Sequence, residues 1–245
     1  MDNDGTTPIV IDAWSGTGSA SNPWRDMGFE VITIDYDESF GPDICADILD
    51  VTPEKLKGYI NAKLGPDRVI YFFWASPSCT LFSLMNMRWK KHYDHVNDYE
   101  AVSDEAKEHN KRVEHTLHLI KMMEPKYWVM ENPRALMRKM PYMRAFERHT
   151  VTYCSYGHPT MKPTDLFGRL PYLWQPLNLC SNGAGDRGEC HHISAPRGSR
   201  TGIQGMDSVD AAVVPELLVL SLIHASVKSH GISREDQWNH WGEDE

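Results

Sequence analysis

Short apolar segments alternate with helix-forming segments along the first half of the chain, and this alternation restricts the fold more than any other feature. The predicted strands are Ile9–Ile11, Glu30–Ile34, Arg68–Trp74 and Tyr127–Met130. Thr52 and Pro53 begin one intervening helix, and Ser103 caps a longer one that Pro125 ends. Strand–helix alternation of this kind predicts an α/β fold with a doubly wound, mostly parallel sheet, whose ligands bind at the carboxyl ends of the strands.

The regular pattern weakens after about residue 150. Residues 175–210 are rich in Gly, Cys, His, Ser and Arg without periodicity, and apolar helical spacing returns at Val213–Val227. We therefore expect a single core domain over residues 1–174 and a small irregular insert over 175–210. The last segment, 211–245, is expected to add a helix that completes the core, followed by an acidic tail.

The charge of the chain limits how it could bind nucleic acid. Acidic residues outnumber basic ones by 34 to 25, which gives a net charge of −9. This excludes a generally basic protein that coats nucleic acid, so a DNA or RNA ligand would have to meet a local cationic patch. The candidate cations are Arg88, Lys90, Lys91, Arg197 and Arg200.

The sequence also bears on the compartment. No apolar run approaches the ~18 residues of a membrane span, and the N-terminus lacks the basic and apolar regions of a signal peptide. The five cysteines are odd in number and unevenly spaced, as expected in a reducing compartment. These features predict a cytoplasmic protein with no membrane partner.

A loop of small residues, Ser15–Ser19, follows the first predicted strand. Small residues let a ligand approach the backbone, although a pair of glycines also fits a plain tight turn. Asp35 ends the second strand about 20 residues further on, where a carboxylate can bind ribose hydroxyls. Asp47 and Ile48 could offer a polar contact and an apolar wall to an adenine ring. Together these residues predict a nucleoside cofactor.

Two reactive side chains follow the third and fourth predicted strands. Cys79 lies in a loop that contains Pro77 and Ser78, and Glu131 directly follows the fourth strand. Carboxyl ends of neighbouring parallel strands share one edge of a sheet, so both should face the same crevice. The basic, aromatic stretch Met87–Tyr93 is expected to lower the thiol pKa. A buried structural thiol and a helix-start acid are the alternative readings.

Five segments match, in order and spacing, the motifs of one enzyme family. Asp12–Ser19 resembles its first motif, Asp-x-Phe-x-Gly-x-Gly-Gly, and Pro77–Ser83 resembles its nucleophile motif, Pro-Pro-Cys-x-x-Phe-Ser. Glu131–Pro133 resembles Glu-Asn-Val, and Tyr156–Thr164 resembles Tyr-Gly-x-Pro-Gln-x-Arg-x-Arg. Val213–Pro215 is similar to the terminal motif, whose helix returns to the cofactor. The chain thus resembles the DNA (cytosine-5)-methyltransferases, which use S-adenosylmethionine.

The resemblance implies a Rossmann-like methyltransferase fold that acts on a cytosine flipped out of DNA. Cys79 would be the covalent nucleophile, and Glu131 would bind and protonate the cytosine ring. Asn132 would orient the loop, and Lys162 would keep the one charge left in the later motif. The implied cofactor-binding residues are Asp12, Trp14, Ser15, Gly16, Thr17, Gly18, Asp35, Tyr36, Asp47, Ile48 and Pro77.

The chain departs from the family at several positions. Ser78 replaces a proline, and the later motif has Thr160, Lys162 and Thr164 where the family has a glutamine and two arginines. Only about 50 residues separate Lys162 from Val213, a compact form like that of bacteriophage enzymes, which suggests DNA modification in a bacterial or phage-infected cell. Two alternatives stay open: a tRNA cytosine methyltransferase, and a silent homologue that binds DNA or S-adenosylmethionine.

A group of metal-binding residue types lies within the irregular insert. Cys180, Cys190, His191 and His192 could ligate zinc, but their spacing is not that of a standard zinc finger. We therefore expect loop residues without a metal, with a structural zinc as the weaker reading.

Overall fold

The computed structural model describes residues 8–82, 90–180 and 208–229. One seven-stranded sheet forms the centre of the described chain, in the order β3-β2-β1-β4-β7-β9-β8. Its strands are β1 (Ile9–Ala13), β2 (Glu30–Asp35), β3 (Ile44–Cys45), β4 (Ile70–Ala75), β7 (Tyr127–Pro133), β8 (Arg148–Thr152) and β9 (Pro163–Arg169). A separate antiparallel ribbon pairs β5 (Tyr93–Asp94) with β6 (Glu100–Ala101).

The predicted doubly wound, mostly parallel sheet is confirmed. Strands β1, β2, β3, β4 and β7 pair in parallel, and β9 lies antiparallel between β7 and β8. From β1 the chain adds β2 and β3 on one side and then β4 and β7 on the other, so the strand order reverses between β1 and β4. Such a reversal leaves a crevice at the carboxyl ends of these two strands. The loops that carry the first and second sequence motifs both begin there.

Helices cover both faces of the sheet. The helices are α1 (Asn22–Asp26), α2 (Pro53–Leu64), α3 (Asp104–Met123), α4 (Ser208–Ala212) and α5 (Glu216–Lys228). Leu56 of α2 and Val113 of α3 pack in one core cluster with Phe73 of β4. Trp24 of α1 and Leu222 of α5 pack in the other cluster, on the opposite face.

The strands extend further than the sequence pattern predicted. Strand β1 continues through Asp12, and β7 includes Glu131 and Asn132, because β9 pairs with β7 up to Pro133. Glu131 is therefore held within the sheet rather than in a loop that follows it. Its register partner on β9 is Leu166, a fully buried residue.

One described stretch, Val209–Lys228, is long and apolar enough to cross a membrane by composition. Residues 213–215 interrupt its helix, and α5 alone has 13 residues, which extend about 20 Å and fall short of a bilayer core of about 30 Å. Leu218, Val219 and Leu222 of α5 are fully buried against the sheet. Helix α5 is therefore packed as a helix of the protein core.

Candidate active site

A pocket of about 190 Å³ opens at the carboxyl ends of β1, β2 and β3. Its lining residues are Trp14, Ile34, Asp35, Tyr36, Ala46, Asp47, Ile48 and Arg112. Five of the predicted cofactor-binding residues are among them. Sites for whole small molecules usually measure roughly 300–1,000 Å³, so this pocket suits the nucleoside part of a larger ligand.

The glycine loop after β1 is tied to the predicted ribose-binding carboxylate. Gly16 and Gly18 have φ of +46° and +73°, a region that glycine enters without steric cost. The Gly16 amide donates to Asp35 Oδ2 at 2.8 Å, and the Asp37 amide donates to Oδ1 at 3.0 Å. The loop is therefore a tight turn that also orients Asp35 at the pocket.

The predicted terminal motif returns to this same loop. The Val214 amide, just before α5, donates to Ser19 Oγ at 3.0 Å. Residues 195 positions apart in the chain thus meet beside the glycine loop. Ser15 and Pro77 are buried near the same edge, whereas Thr17 is exposed.

Asp12 is a buried carboxylate beneath the glycine loop. Its side chain is 1% exposed, and among the residues that the structure describes neither of its oxygens has a hydrogen-bond partner. Burial raises its pKa to about 7, with Asp35 adding to the rise while Ser21 and Arg25 oppose it. The Ser21 hydroxyl donates to Gly18 O at 3.2 Å, so Asp12 still lacks a firm partner. Buried carboxylates usually have partners, and this one is suited to a cationic ligand group.

Asp47, which the sequence suggested as a polar contact for adenine, is paired with Arg112 in the structure. Arg112 of α3 donates to both of its oxygens, with Nε–Oδ1 at 3.1 Å and Nη2–Oδ2 at 2.6 Å. The Leu49 amide also donates to Oδ1 at 3.1 Å. These donors lower the pKa of Asp47, the Arg112 guanidinium most of all. The pocket therefore presents an Arg112–Asp47 pair in place of a lone carboxylate.

The loop that carries Cys79 is anchored to β7. The side-chain amide of Asn132, which is 1% exposed, donates to Pro77 O at 2.8 Å. At the far end of the loop, the Leu136 amide donates to Phe82 O at 3.0 Å. Asn132 thus lies where the sequence expected a residue that orients the loop.

The Cys79 side chain is exposed at the surface, and the protein around it removes part of the solvent from the thiol. This partial burial raises the pKa of the thiol, and the Glu131 carboxylate raises it further, while Lys162 lowers it. The direction is opposite to the one expected from the stretch Met87–Tyr93. Lys162, the cation that lowers the thiol pKa, belongs to the later motif and directly precedes β9. The pairing of β9 with β7 brings it to this edge of the sheet.

Glu131 is 5% exposed and lies near enough to Cys79 to affect its titration. The Tyr153 hydroxyl donates to Glu131 Oε1 at 2.6 Å. The Lys162 ammonium lies over the Tyr153 ring, 4.6 Å from its centroid. The structure thus brings together three of the predicted catalytic residues, Cys79, Glu131 and Lys162. Tyr153, which the sequence did not predict, contacts both Glu131 and Lys162.

Sequence reasoning missed Tyr153, Arg112 and His109. Arg112 is 65 residues from Asp47, and no short motif links the two. His109 of α3 is 8% exposed, lies 4.8 Å from the Phe82 ring, and has a pKa lowered by burial to about 4. Tyr153 lies three residues before the motif that begins at Tyr156, and this proximity was the only sequence signal that could have placed it at the site.

The remaining predicted residues fall outside this edge or outside the described chain. Lys90 and Lys91 are exposed before β5, and the Cys180 amide donates to Thr152 Oγ1 at 2.9 Å. No cluster of three metal-binding side chains occurs within residues 8–82, 90–180 and 208–229. The predicted residues outside those ranges are Arg88, Cys190, His191, His192, Arg197 and Arg200.

No protein-family profile and no curated protein sequence matches the chain. Among solved structures it is similar to the Entamoeba histolytica methyltransferase EhMeth, at 11% identity and TM-score 0.52, over 92% of this chain and 99% of that one. This likeness shows that the sheet and helices form the Rossmann-like fold of S-adenosylmethionine-dependent methyltransferases.

Two further similarities are partial. A protein described as a prophage-encoded DNA modification methyltransferase of E. coli is 19% identical, with TM-score 0.49, over 70% of this chain and 49% of that one. The Dnmt2 methyltransferase of S. pombe is 12% identical, with TM-score 0.43, over 67% and 50%. The chain spans about half the length of these two proteins.

Proposed function

We propose that the chain transfers a methyl group from S-adenosylmethionine to the five-position carbon of cytosine in DNA. The observation that carries the proposal is the electrostatic coupling of the Cys79 thiol, the Glu131 carboxylate and Lys162 at the carboxyl edge of a methyltransferase fold. The motifs of the chain support cytosine as the base and DNA as the substrate. A cytoplasmic location in a bacterial or phage-infected cell goes with the same proposal.

The residues around the pocket at the carboxyl ends of β1, β2 and β3 fit the cofactor. Asp35, held by the Gly16 amide, is placed to accept from ribose hydroxyls, and the pocket between Trp14 and Ile48 has the size of a nucleoside site. Asp12, whose buried oxygens have no hydrogen-bond partner among the described residues, would pair with the ammonium group of the methionine part. When bound, S-adenosylmethionine supplies an electrophilic methyl group on a sulfonium sulfur.

Cys79 would make the five-position carbon of cytosine reactive. The thiolate forms a bond to the six-position carbon, and the ring electrons move toward N3, which takes a proton from Glu131. The five-position carbon then acts as a nucleophile toward the methyl group, whose bond to the sulfonium sulfur would break to leave S-adenosylhomocysteine. A solvent base removes the remaining proton from that carbon, the bond to Cys79 breaks, and the thiolate is regenerated. N3 returns its proton to the Glu131 carboxylate, which restores the acid.

The raised pKa of Cys79 keeps its side chain in the less reactive thiol form before the substrate binds. With Glu131 ionised nearby, the thiolate is disfavoured in the free enzyme. When Glu131 carries the proton that it donates to N3, that negative charge is absent and the thiolate is opposed less. The charge states of the thiol and the acid are thus coupled.

Trapping of a covalent adduct tests the proposal. A mixed-sequence duplex that contains 5-fluorocytosine lacks the proton whose removal releases Cys79, so the adduct persists. We expect the full-length chain with S-adenosylmethionine to give a denaturation-resistant protein–DNA band. Cys79→Ala should give none, whereas Cys45→Ala, at another exposed cysteine, should keep the band.

The alternatives predict different results in the same experiment. An adduct with 5-fluorocytosine tRNA and none with DNA would make the chain an RNA enzyme with the same chemistry. Cofactor binding without an adduct on either substrate would make it a silent homologue. An adduct that survives in Cys79→Ala would assign the nucleophile to another residue.

A further inference from the structure

Tyr153 makes a short, buried hydrogen bond to the proposed catalytic acid. Its side chain is fully buried, and its hydroxyl donates to Glu131 Oε1 at 2.6 Å. An O–H···O contact of about 2.5–2.7 Å is typical of a hydrogen bond to a charged oxygen. This hydrogen bond restrains the Glu131 carboxylate, whereas the side chain of Asn132, on the same strand, is engaged with Pro77.

The Tyr153 ring is itself restrained on two sides. The Lys162 ammonium lies 4.6 Å from the ring centroid, and the His158 ring packs edge-on at 5.7 Å. The Tyr153 amide donates to Met161 O at 2.9 Å, which ties the turn that begins at Tyr153 to the hairpin that carries Lys162. The hydroxyl therefore has little freedom to leave Glu131.

We infer that Tyr153 is a positioning residue that holds Glu131 Oε1, so that Oε2 is presented to the cytosine ring. The inference rests on the proposed function. The later motif of the chain has Lys162 and Thr164 where the resembled family has arginines. Tyr153 supplies a fixed donor to the catalytic carboxylate, and Lys162 supports the ring of Tyr153 through its positive charge.

The arrangement also determines which oxygen of Glu131 carries the proton. A phenol that donates to Oε1 uses one lone pair of that oxygen and stabilises it as an acceptor, so a carboxylic acid that donates to N3 does so preferentially from Oε2. Without the phenol, either oxygen could carry the proton, and the side chain could rotate. Loss of the hydroxyl should therefore slow proton transfer and leave cofactor binding intact.

Tyr153→Phe removes the hydroxyl and keeps the ring that fills the core. We expect the single-turnover rate of methyl transfer at saturating cofactor and DNA to fall at least tenfold. Affinity for S-adenosylhomocysteine, measured by calorimetry, should stay within twofold of wild type. Tyr156→Phe is the matched control, because its hydroxyl lies in the same turn and accepts from the Leu177 amide at 2.8 Å.

A double-mutant cycle with Glu131→Gln separates positioning from general destabilisation. If Tyr153 acts through Glu131, Tyr153→Phe should slow the wild type but have little further effect in the Glu131→Gln background. Equal losses in both backgrounds, or a loss no larger than that of Tyr156→Phe, would overturn the inference and leave the proposed function standing. A wild type without methyl transfer on DNA or RNA would overturn both.

Discussion

Asp12 shows how a single side chain can link cofactor binding to stability. Its carboxyl group is buried beneath the glycine loop, and in the described chain both of its oxygens lack a hydrogen-bond partner. Burial without a partner disfavours the charged form, which is why its pKa rises to about 7. A ligand ammonium at this position would remove the penalty, so Asp12 destabilises the free protein and favours the bound one.

Asp12→Asn should therefore stabilise the free protein at neutral and higher pH. The native state keeps the Asp12 proton up to about pH 7, whereas the unfolded chain releases it near 3.8. The free energy of unfolding thus falls as pH rises between these values, by on the order of 4 kcal/mol for this group, and is constant above them. Urea unfolding of both proteins should show their difference growing from pH 4.5 to pH 8.

Two further measurements complete this experiment. The exposed Asp26→Asn serves as the control and should show no such pH-dependent difference from wild type. At pH 8, S-adenosylhomocysteine should raise the melting temperature of wild type more than that of Asp12→Asn. A variant no more stable than wild type at pH 8 would mean that the Asp12 carboxylate has a partner in solution.

At the scale of elements, α3 connects the pocket at the carboxyl ends of β1, β2 and β3 to the loop that carries Cys79. Arg112 pairs with Asp47, and Thr116 Oγ1 accepts from Trp14 Nε1 at 3.2 Å, both at the pocket. One turn earlier, His109 packs against Phe82 and hydrogen-bonds with the backbone at Ser78. A displacement of this helix would therefore alter both halves of the site, which makes α3 more than a cover for the sheet.

Arg112→Met should weaken cofactor binding. The Arg112–Asp47 pair is bidentate but partly exposed, so its loss should cost about 1 kcal/mol, or about fivefold in the Kd for S-adenosylhomocysteine measured by calorimetry. Lys111→Met is the matched control, because Lys111 pairs with Glu108 on the exposed side of the same helix. Equal affinities of the two variants would show that Asp47 binds the cofactor without support from α3.

At the scale of the whole molecule, the proposed binding of DNA by an acidic protein requires a small cationic region. Arg134 follows β7 directly, is exposed, and has its amide bonded to Pro163 O at 2.8 Å. That bond places it beside the hairpin that carries Lys162, at the edge where Glu131 lies. With a net charge of −9 over the whole chain opposing DNA, each cation at this edge should count in binding.

Arg134→Gln should weaken binding to DNA of any sequence and reduce its salt dependence. If Arg134 contacts one phosphate, the slope of log K against log salt concentration should become less steep by about 0.9. Fluorescence anisotropy with a labelled duplex at several salt concentrations measures this slope. Lys57→Gln, an exposed lysine on α2, should leave it unchanged. The same change in both variants would indicate a net-charge effect and no contact by Arg134.

The sequence alone predicted the parts of the molecule that depend on local pattern. Apolar runs and caps predicted β1, β2, β4, β7, α2 and α3, because hydrophobic periodicity and capping act over a few residues. The same pattern predicted that Cys79 and Glu131 would meet, since carboxyl ends of parallel strands share one edge. Five of the residues that it proposed for the cofactor line the pocket at the carboxyl ends of β1, β2 and β3.

Only the tertiary structure decided which groups act on these residues. Asp47 meets Arg112 across 65 residues, and Glu131 meets Tyr153 across 22, at distances set by helix packing and by the antiparallel insertion of β9. The direction of the Cys79 pKa shift followed from burial and from Glu131, which no local pattern encodes. Local sequence determines which side chains reach the edge of a sheet, whereas their charge states depend on neighbours that only folding brings together.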